Sequence, residues 1–391
     1  MSRWIPGSAG WPRSSPSPRS STSAGRPTGC TAGPASAPLH RAAAGDRLGL
    51  ALVDFSWGPA TATGVGSLPL TDRDEAARIA VGELPDFPHL PELPARGVGA
   101  DMIGRAASLL VDLHVDLQPA GWRLVDRAGA DERRAASFLG ADVDALEIAA
   151  YGYQGPLKVQ VAGPLTLAAS VELNRGGALV SDGGARRDVA ASLAEGVADF
   201  VAEVARRVPG ASVVLQLDEP SLPAVLAGSI PTVSGFGRVR AVDTPEAVAL
   251  LSSVVTAVSG AGVPVVVHCC APSVPIGVVR SAGAVAVSLD VGVLGAADLE
   301  PLAEAVDAGL ALWPGIVPSL RPSTPPSDRE LAQRIVGLWR RLDQSPADMA
   351  ARTVVTPSCG LAGADPDWAR RAYILARTTG RAFADLVTEA S

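Results

Sequence analysis

Val263-Pro-Val-Val-Val-His-Cys-Cys270 is a short apolar run that ends in an imidazole and two thiols. Continuous apolar runs of this length suit parallel strands covered on both faces. The same form recurs along the chain. Ser212–Leu217 ends in Asp218-Glu219-Pro220, Ala284–Leu289 ends in Asp290, and Thr353–Thr356 is followed by Cys359. Thr61–Val65, Leu157–Val161 and Leu310–Ile316 complete the set of clear strand candidates. Helical stretches lie between them, and several carry start signals. Thr244 precedes Pro245, Ser327 stands three residues before Glu330 as in a capping box, and Asp365 precedes Pro366. The last helix then shows Trp368, Ala372, Leu375 and Ala376 at helical spacing.

Strand–helix alternation of this kind predicts an α/β fold, a (βα)8 TIM barrel. Closure needs an eighth strand, for which Trp122–Val125 is the candidate. Glu83–Ala100, with its four prolines, reads as a long loop. A doubly wound open sheet would announce a glycine-rich phosphate turn after its first strand. Gly64-Val-Gly66-Ser-Leu-Pro69 has proline where the third glycine should stand, so the closed barrel is favoured.

The composition narrows the class. The chain has 391 residues, of which 47% are hydrophobic and 19% charged, enough apolar surface to offset the ordering entropy of a large core. Aromatics are only 4%, so that core must be built from Ala, Val and Leu. The 33 basic and 40 acidic residues leave a net charge of −7 with no basic stripe, which argues against nucleic acid as a partner. Lys158 is the sole lysine. No apolar run approaches the roughly 18 residues that span a bilayer, so no membrane association is expected. Four cysteines are too few for a disulfide framework and fit a reducing, cytoplasmic setting. Residues 1–50 read as a disordered low-complexity leader rich in Ser, Pro, Gly and Arg, carrying Cys30 and His40, and 51–391 as a single barrel domain.

In a βα barrel the C-terminal strand ends share one face, where active sites are built. Ser67, Gly163-Pro164, Asp218-Glu219, His268, Cys270, Asp290 and Cys359 all fall there. His268 and Cys270 are two apart on a strand and point the same way. Cys359 offers a second thiolate and Asp290 a carboxylate, a donor set that suits Zn2+. Cys269 points the other way, into core packing. His89 and His114 have no visible partners and read as surface residues of a loop or helix. Asp218 should face inward, because Val213, Leu215 and Leu217 occupy the opposite face; a helix-capping carboxylate is its bland alternative.

Gly64-Val-Gly-Ser67-Leu-Pro69, Val161-Ala-Gly-Pro164-Leu-Thr166, Gln216-Leu-Asp-Glu-Pro-Ser-Leu222, His268-Cys-Cys270, Ser288-Leu-Asp290 and Thr356-Pro-Ser-Cys-Gly-Leu361 occur in that order. Together they resemble the catalytic C-terminal barrel of cobalamin-independent methionine synthase, over about residues 60–385. The resemblance implies a zinc-dependent methyltransferase of methionine biosynthesis, similar to 5-methyltetrahydropteroyltriglutamate–homocysteine methyltransferase. It implies His268, Cys270, Cys359 and, in place of the family's glutamate, Asp290 as metal ligands. Ser67 would hold the homocysteine carboxylate, and Asp218, the candidate catalytic acid, the substrate ammonium.

This sequence departs from the family in four places. Asp290 is one methylene short. The histidine of the family's His-Ser-Pro after the seventh strand, which delivers a proton to the donor, is replaced in Pro314-Gly-Ile-Val-Pro-Ser-Leu320. The family's second ammonium-binding glutamate has no counterpart near Gly97–Asp101. The N-terminal barrel that helps hold polyglutamyl folate is not expected here. The methyl donor therefore stays open between methyltetrahydrofolate and a methyl-corrinoid protein. A barrel enzyme resembling uroporphyrinogen decarboxylase and a non-catalytic binding barrel are the alternatives.

Overall fold

The computed structural model describes residues 57–232, 235–345 and 350–390. The expected leader, with Cys30 and His40, lies outside the described residues. Parallel strands β1 (Thr61–Ala62), β4 (Gly155–Ala162), β6 (Ala211–Asp218), β7 (Val265–Cys269), β8 (Ala286–Asp290), β9 (Ala311–Val317) and β10 (Val354–Pro357) form one curled sheet. Its order is β1-β10-β9-β8-β7-β6-β4. Strands β2 (His114–Gln118), β3 (Gly121–Val125) and β5 (Val171–Glu172) form a separate small sheet.

Closure comes from a segment that looked like a loop. Glu92 N–H donates to the Gly66 carbonyl at 3.1 Å and Leu68 N–H to the Glu92 carbonyl at 2.9 Å. On the other side Leu90 N–H donates to the Lys158 carbonyl, and Lys158 N–H to that of Pro88, both at 2.9 Å. Residues 88–92 thus bridge the chain just past β1, at Gly66–Leu68, to β4 in parallel on both flanks and stand where an eighth strand must stand. Pro88 and Pro91 lack an N–H, so no regular ladder forms, and the apolar/polar period that marks a strand is broken. The expected eighth strand, Trp122–Val125, instead pairs antiparallel with β2 outside the barrel, and the long loop at 83–100 contains the barrel's second strand position.

Helices α1 (Arg73–Glu83), α2 (Met102–Ala107), α3 (Ala130–Ala149), α4 (Pro164–Ser170), α5 (Gly183–Arg207), α6 (Leu222–Leu226), α7 (Thr244–Ser259), α8 (Ile276–Ser281), α9 (Leu299–Asp307) and α10 (Asp328–Arg341) connect the strands, and α11 (Pro366–Ala390) follows β10. Their starts follow local chemistry. Ser327 and Glu330 form the expected capping box on α10. Asp365 accepts from Trp368 N–H at 2.9 Å to open α11. At α7 the cap is Asp243 rather than Thr244, one residue earlier than the sequence suggested. Among the described residues no helix is long and apolar enough to cross a membrane.

Ala, Val and Leu dominate the buried core, as the composition required. Inside the barrel Val214, Val266, Ala286, Ala311 and Val354 pack with Trp57, Phe87 and Trp313 as a distinct apolar cluster. Trp57 and Phe87 meet Trp313 edge-on at 5.1 and 5.5 Å. Val214, Val266 and Ala286 precede Asp218, His268 and Ser288 on their own strands, so this cluster forms the floor beneath the mouth.

Candidate active site and metal centre

Strand register builds the site. Ala162, Asp218, His268, Ser288 and Trp313 are successive partners across five neighbouring strands, so their side chains form one inward-facing row. Within that row His268 Nδ1 meets Ser288 Oγ at 2.9 Å. The other ring nitrogen, Nε2, is buried with no hydrogen-bond partner among the described residues. A buried imidazole held by one nitrogen and open at the other is the arrangement of a metal ligand whose tautomer is set from behind.

Cys270 continues the same face of the chain past β7, and Cys359 arrives from the loop after β10. Their sulfurs lie 3.0 Å apart. The donor atoms of His268, Cys270 and Cys359 all fall within 4.8 Å of one another. Hydrogen bonding from Cys270 holds the Cys359 thiol below the usual range, with His268 adding to the effect, while the same pairing pushes Cys270 up. Tetrahedral Zn2+, with bonds of about 2.0–2.3 Å, spaces its donors by roughly 3.3–3.8 Å. The three groups therefore fit such an ion with side-chain shifts of about an ångström. Cys269 is fully buried in the core, and burial pushes its thiol up to about 12.

Asp290 ends β8 on the same face, but its carboxylate is not within the three-donor group. Its Oδ1 accepts from Gly292 N–H at 2.7 Å, and burial raises its pKa.

Ser67 is laid against the loop that carries Cys359. Leu361 N–H donates to the Ser67 carbonyl at 2.9 Å, and Ala362 N–H reaches Ser67 Oγ at 3.4 Å. A Cβ on Gly360 would stand 2.2 Å from that hydroxyl, so the glycine makes the approach possible. Asp218 is buried, and its Oδ1 accepts from Gln216 Nε2 at 2.7 Å. Burial raises its pKa, opposed by His268 and Lys158.

The two acids of the Asp218-Glu219-Pro220 motif divide their work. Glu219 accepts from Leu165 N–H at 2.9 Å and from Thr166 N–H and Oγ1 at 2.7 Å each, capping α4. The capping role that the sequence offered as the alternative for Asp218 thus belongs to its neighbour. Gly163 is required beside it, because a Cβ there would stand 2.3 Å from Glu219 Oε1.

Several groups escaped the sequence reading. Glu92, buried at the end of the closing segment, lies at the mouth, with its Oε1 3.7 Å from Arg105 Nε. Burial raises its pKa, and Arg105 opposes this. It occupies the strand-two position where no acid was found near Gly97–Asp101. Lys158, Gln160 and Gln216 are buried polar residues inside the barrel. Their signal was available as polar residues at period two in otherwise apolar strands. His89 is no surface residue. It is fully buried, hydrogen-bonds Tyr373 OH at 2.8 Å through Nε2, and is held down to about 3 by burial. His114 stands on β2, 3.1 Å from Glu132.

A family model described as "Cobalamin-independent synthase, Catalytic domain" matches residues 59–381. The chain belongs to this family. The enzyme class follows: an S-methyltransferase of the methionine synthase type, which sets aside the decarboxylase-like and non-catalytic alternatives. Among solved structures, a B12-independent methionine synthase from Shewanella sp. W3-18-1 in complex with selenomethionine is 12% identical. It covers 85% of this chain and 99% of its own, with a TM-score of 0.55, a likeness of fold. Lower similarities include a methylaspartate ammonia lyase variant from Clostridium tetanomorphum (13% identity, 84% and 60% coverage, TM-score 0.41). A 2,3-dimethylmalate lyase is 15% identical, with 80% and 81% coverage and a TM-score of 0.35. No curated protein matches the sequence.

Proposed function

We propose that the barrel mouth binds homocysteine and transfers a methyl group to its sulfur, forming methionine, with His268, Cys270 and Cys359 holding Zn2+. The observation that carries the reading is the convergence of those three donors, with Asp218 in register with His268 and Ser67 packed against the loop that carries Cys359. Bound there, Zn2+ would act as a Lewis acid that lowers the thiol pKa, so that a nucleophilic sulfur exists at neutral pH. Three protein donors leave a coordination position for the substrate, as catalytic zinc sites do. Asp290, one methylene short and already engaged with Gly292, would be at most a weak fourth donor.

The remaining work belongs to binding and orientation. Ser67 receives the homocysteine carboxylate through its hydroxyl and backbone, while Asp218 and Glu92 receive the ammonium. Fixing both ends of the amino acid leaves the thiol one place to go, and alignment of this kind carries much of the rate in a transfer reaction. The methyl donor is methyltetrahydrofolate or a methyl-corrinoid protein. Three free cysteines among the described residues suit a reducing cytoplasm.

Metal analysis and methyl-transfer assays test the proposal. One equivalent of zinc is expected in the full-length protein and its loss in Cys359→Ala. Homocysteine-dependent methionine formation is expected with methyltetrahydrofolate or with methylcobalamin. A metal-free wild-type protein, or bound zinc with no turnover from either donor, overturns it.

A further inference from the structure

Lys158 sits inside the barrel, fully buried, on β4. Its ammonium donates to the Val65 carbonyl at 2.8 Å and to Gln160 Oε1 at 2.9 Å. Both acceptors are neutral. A buried cation without a directly bonded carboxylate costs stability, and an apolar side chain of similar volume would cost less. Burial accordingly drives its pKa down, opposed by Asp218 and Glu92. A compact ammonium suits two convergent acceptors, where a guanidinium with five donors would leave several unpaired. In a chain whose other basic residues are all arginine, this position alone is lysine.

The hydrogen bonds around Lys158 lead to three places. Val65 stands two residues before Ser67, and its carbonyl also accepts from Gln216 Nε2 at 2.8 Å. That same Gln216 amide donates to Asp218 Oδ1 at 2.7 Å. Gln160, whose oxygen Lys158 holds, donates through Nε2 to the Leu90 carbonyl at 2.7 Å, two residues before Glu92. The segments carrying Ser67, Asp218 and Glu92 belong to three different strand positions: the ammonium bonds the first directly, reaches the third through Gln160, and shares the Val65 carbonyl with the Gln216 amide that holds the second. The metal donors His268, Cys270 and Cys359 are not among its bonded partners.

The structure assigns Lys158 as a positioning residue for the amino-acid head of the substrate: it ties the carboxylate-binding and ammonium-binding segments into one frame, separately from the metal donors. This rests on the homocysteine reading above and names the element that sets specificity for an α-amino acid thiol over a bare thiol. Removing it loosens both head-group contacts at once and leaves the thiol-binding end in place.

Binding to the cobalt-loaded full-length protein tests this, read from the sulfur-to-cobalt absorption band. Homocysteine and 1-propanethiol are titrated into wild type and Lys158→Met. The variant should bind homocysteine at least about tenfold more weakly, with its metal content and propanethiol affinity unchanged. Equal weakening of both thiols, or no weakening of homocysteine, overturns the assignment. If wild type binds neither thiol at the metal, the homocysteine reading itself fails, a distinct outcome. Should the variant not fold, the single lysine permits a second measurement on wild type. Nζ-labelled lysine gives one side-chain nitrogen signal, which homocysteine should shift and propanethiol should not. The same response to both, or to neither, also overturns the assignment.

Discussion

Replacing Ser288 by alanine removes one hydroxyl and should cost metal affinity, although Ser288 is not itself a proposed ligand. Its Oγ lies 2.9 Å from His268 Nδ1, and the residue is fully buried, so no solvent water takes its place. In the proposed zinc site Nε2 would face the ion, so Nδ1 would carry the proton and donate to the serine. Alanine leaves that N–H unpaired, which favours the wrong tautomer and frees the ring to rotate. Losing the partner behind a ligating histidine typically weakens metal binding 10- to 100-fold, about 1.4–2.7 kcal/mol. Competition of the protein against a chromophoric zinc chelator measures this directly. Ser288→Thr retains the hydroxyl and should stay within about threefold of wild type. Unchanged zinc affinity in Ser288→Ala would refute the tautomer argument. Equal losses in the alanine and threonine variants would do so too, since packing and not the hydroxyl would then be responsible.

Gly360→Ala should selectively damage substrate binding, because the new methyl group would meet Ser67 Oγ at 2.2 Å and its other near neighbours only at 3.4 Å or beyond. The hydroxyl rotates away, homocysteine KM rises about tenfold with zinc content unchanged, and Ser67→Ala combined with Gly360→Ala is no worse than either alone; an additive double variant contradicts this. The buried His89 predicts a specific acid sensitivity. Burial holds its folded pKa to about 3, below the usual 6.5 of a free imidazole, so protons bind the unfolded state preferentially between those limits. The stability this group contributes is present above pH 6.5 and is lost as pH falls toward 3, by about 3 kcal/mol at pH 4. Denaturant titrations should show His89→Phe less stable than wild type at pH 7, since Tyr373 loses its partner, with the gap closing by pH 4. A gap that stays constant with pH shows that His89 does not titrate as described.

Much of this was legible in local sequence. The apolar runs and the capping signals at Ser327 and Asp365 marked the strands and helices, because hydrophobic period and cap chemistry act over a few residues. The barrel followed from their alternation, and the candidate metal donors from chemistry-bearing residues placed just after strands, of which His268, Cys270 and Cys359 are brought together and Asp290 is not. The second strand position was hidden because Pro88 and Pro91 remove the donors and the pattern by which a strand is recognised, and Glu92 was hidden with it. Phe87, His89, Leu90 and Glu92 are nearly or wholly buried, yet they read as a loop because their pairing partners lie just past β1 and on β4.

The sequence by itself therefore determined the fold class, the family and the short list of residues able to do chemistry, since each depends on residue type and spacing along the chain. The tertiary structure alone decided how those residues divide the work. Register set Asp218 beside His268 and Ser288, and burial sent Glu219 to a helix N-terminus 53 residues away in sequence. Closure through residues 88–92 brought Glu92 to the mouth, and the fold brought the Cys270 and Cys359 sulfurs, 89 residues apart in sequence, within 3.0 Å of each other. Such properties depend on distances between strands and on exclusion of water, neither of which is written in the order of residues along any one of them.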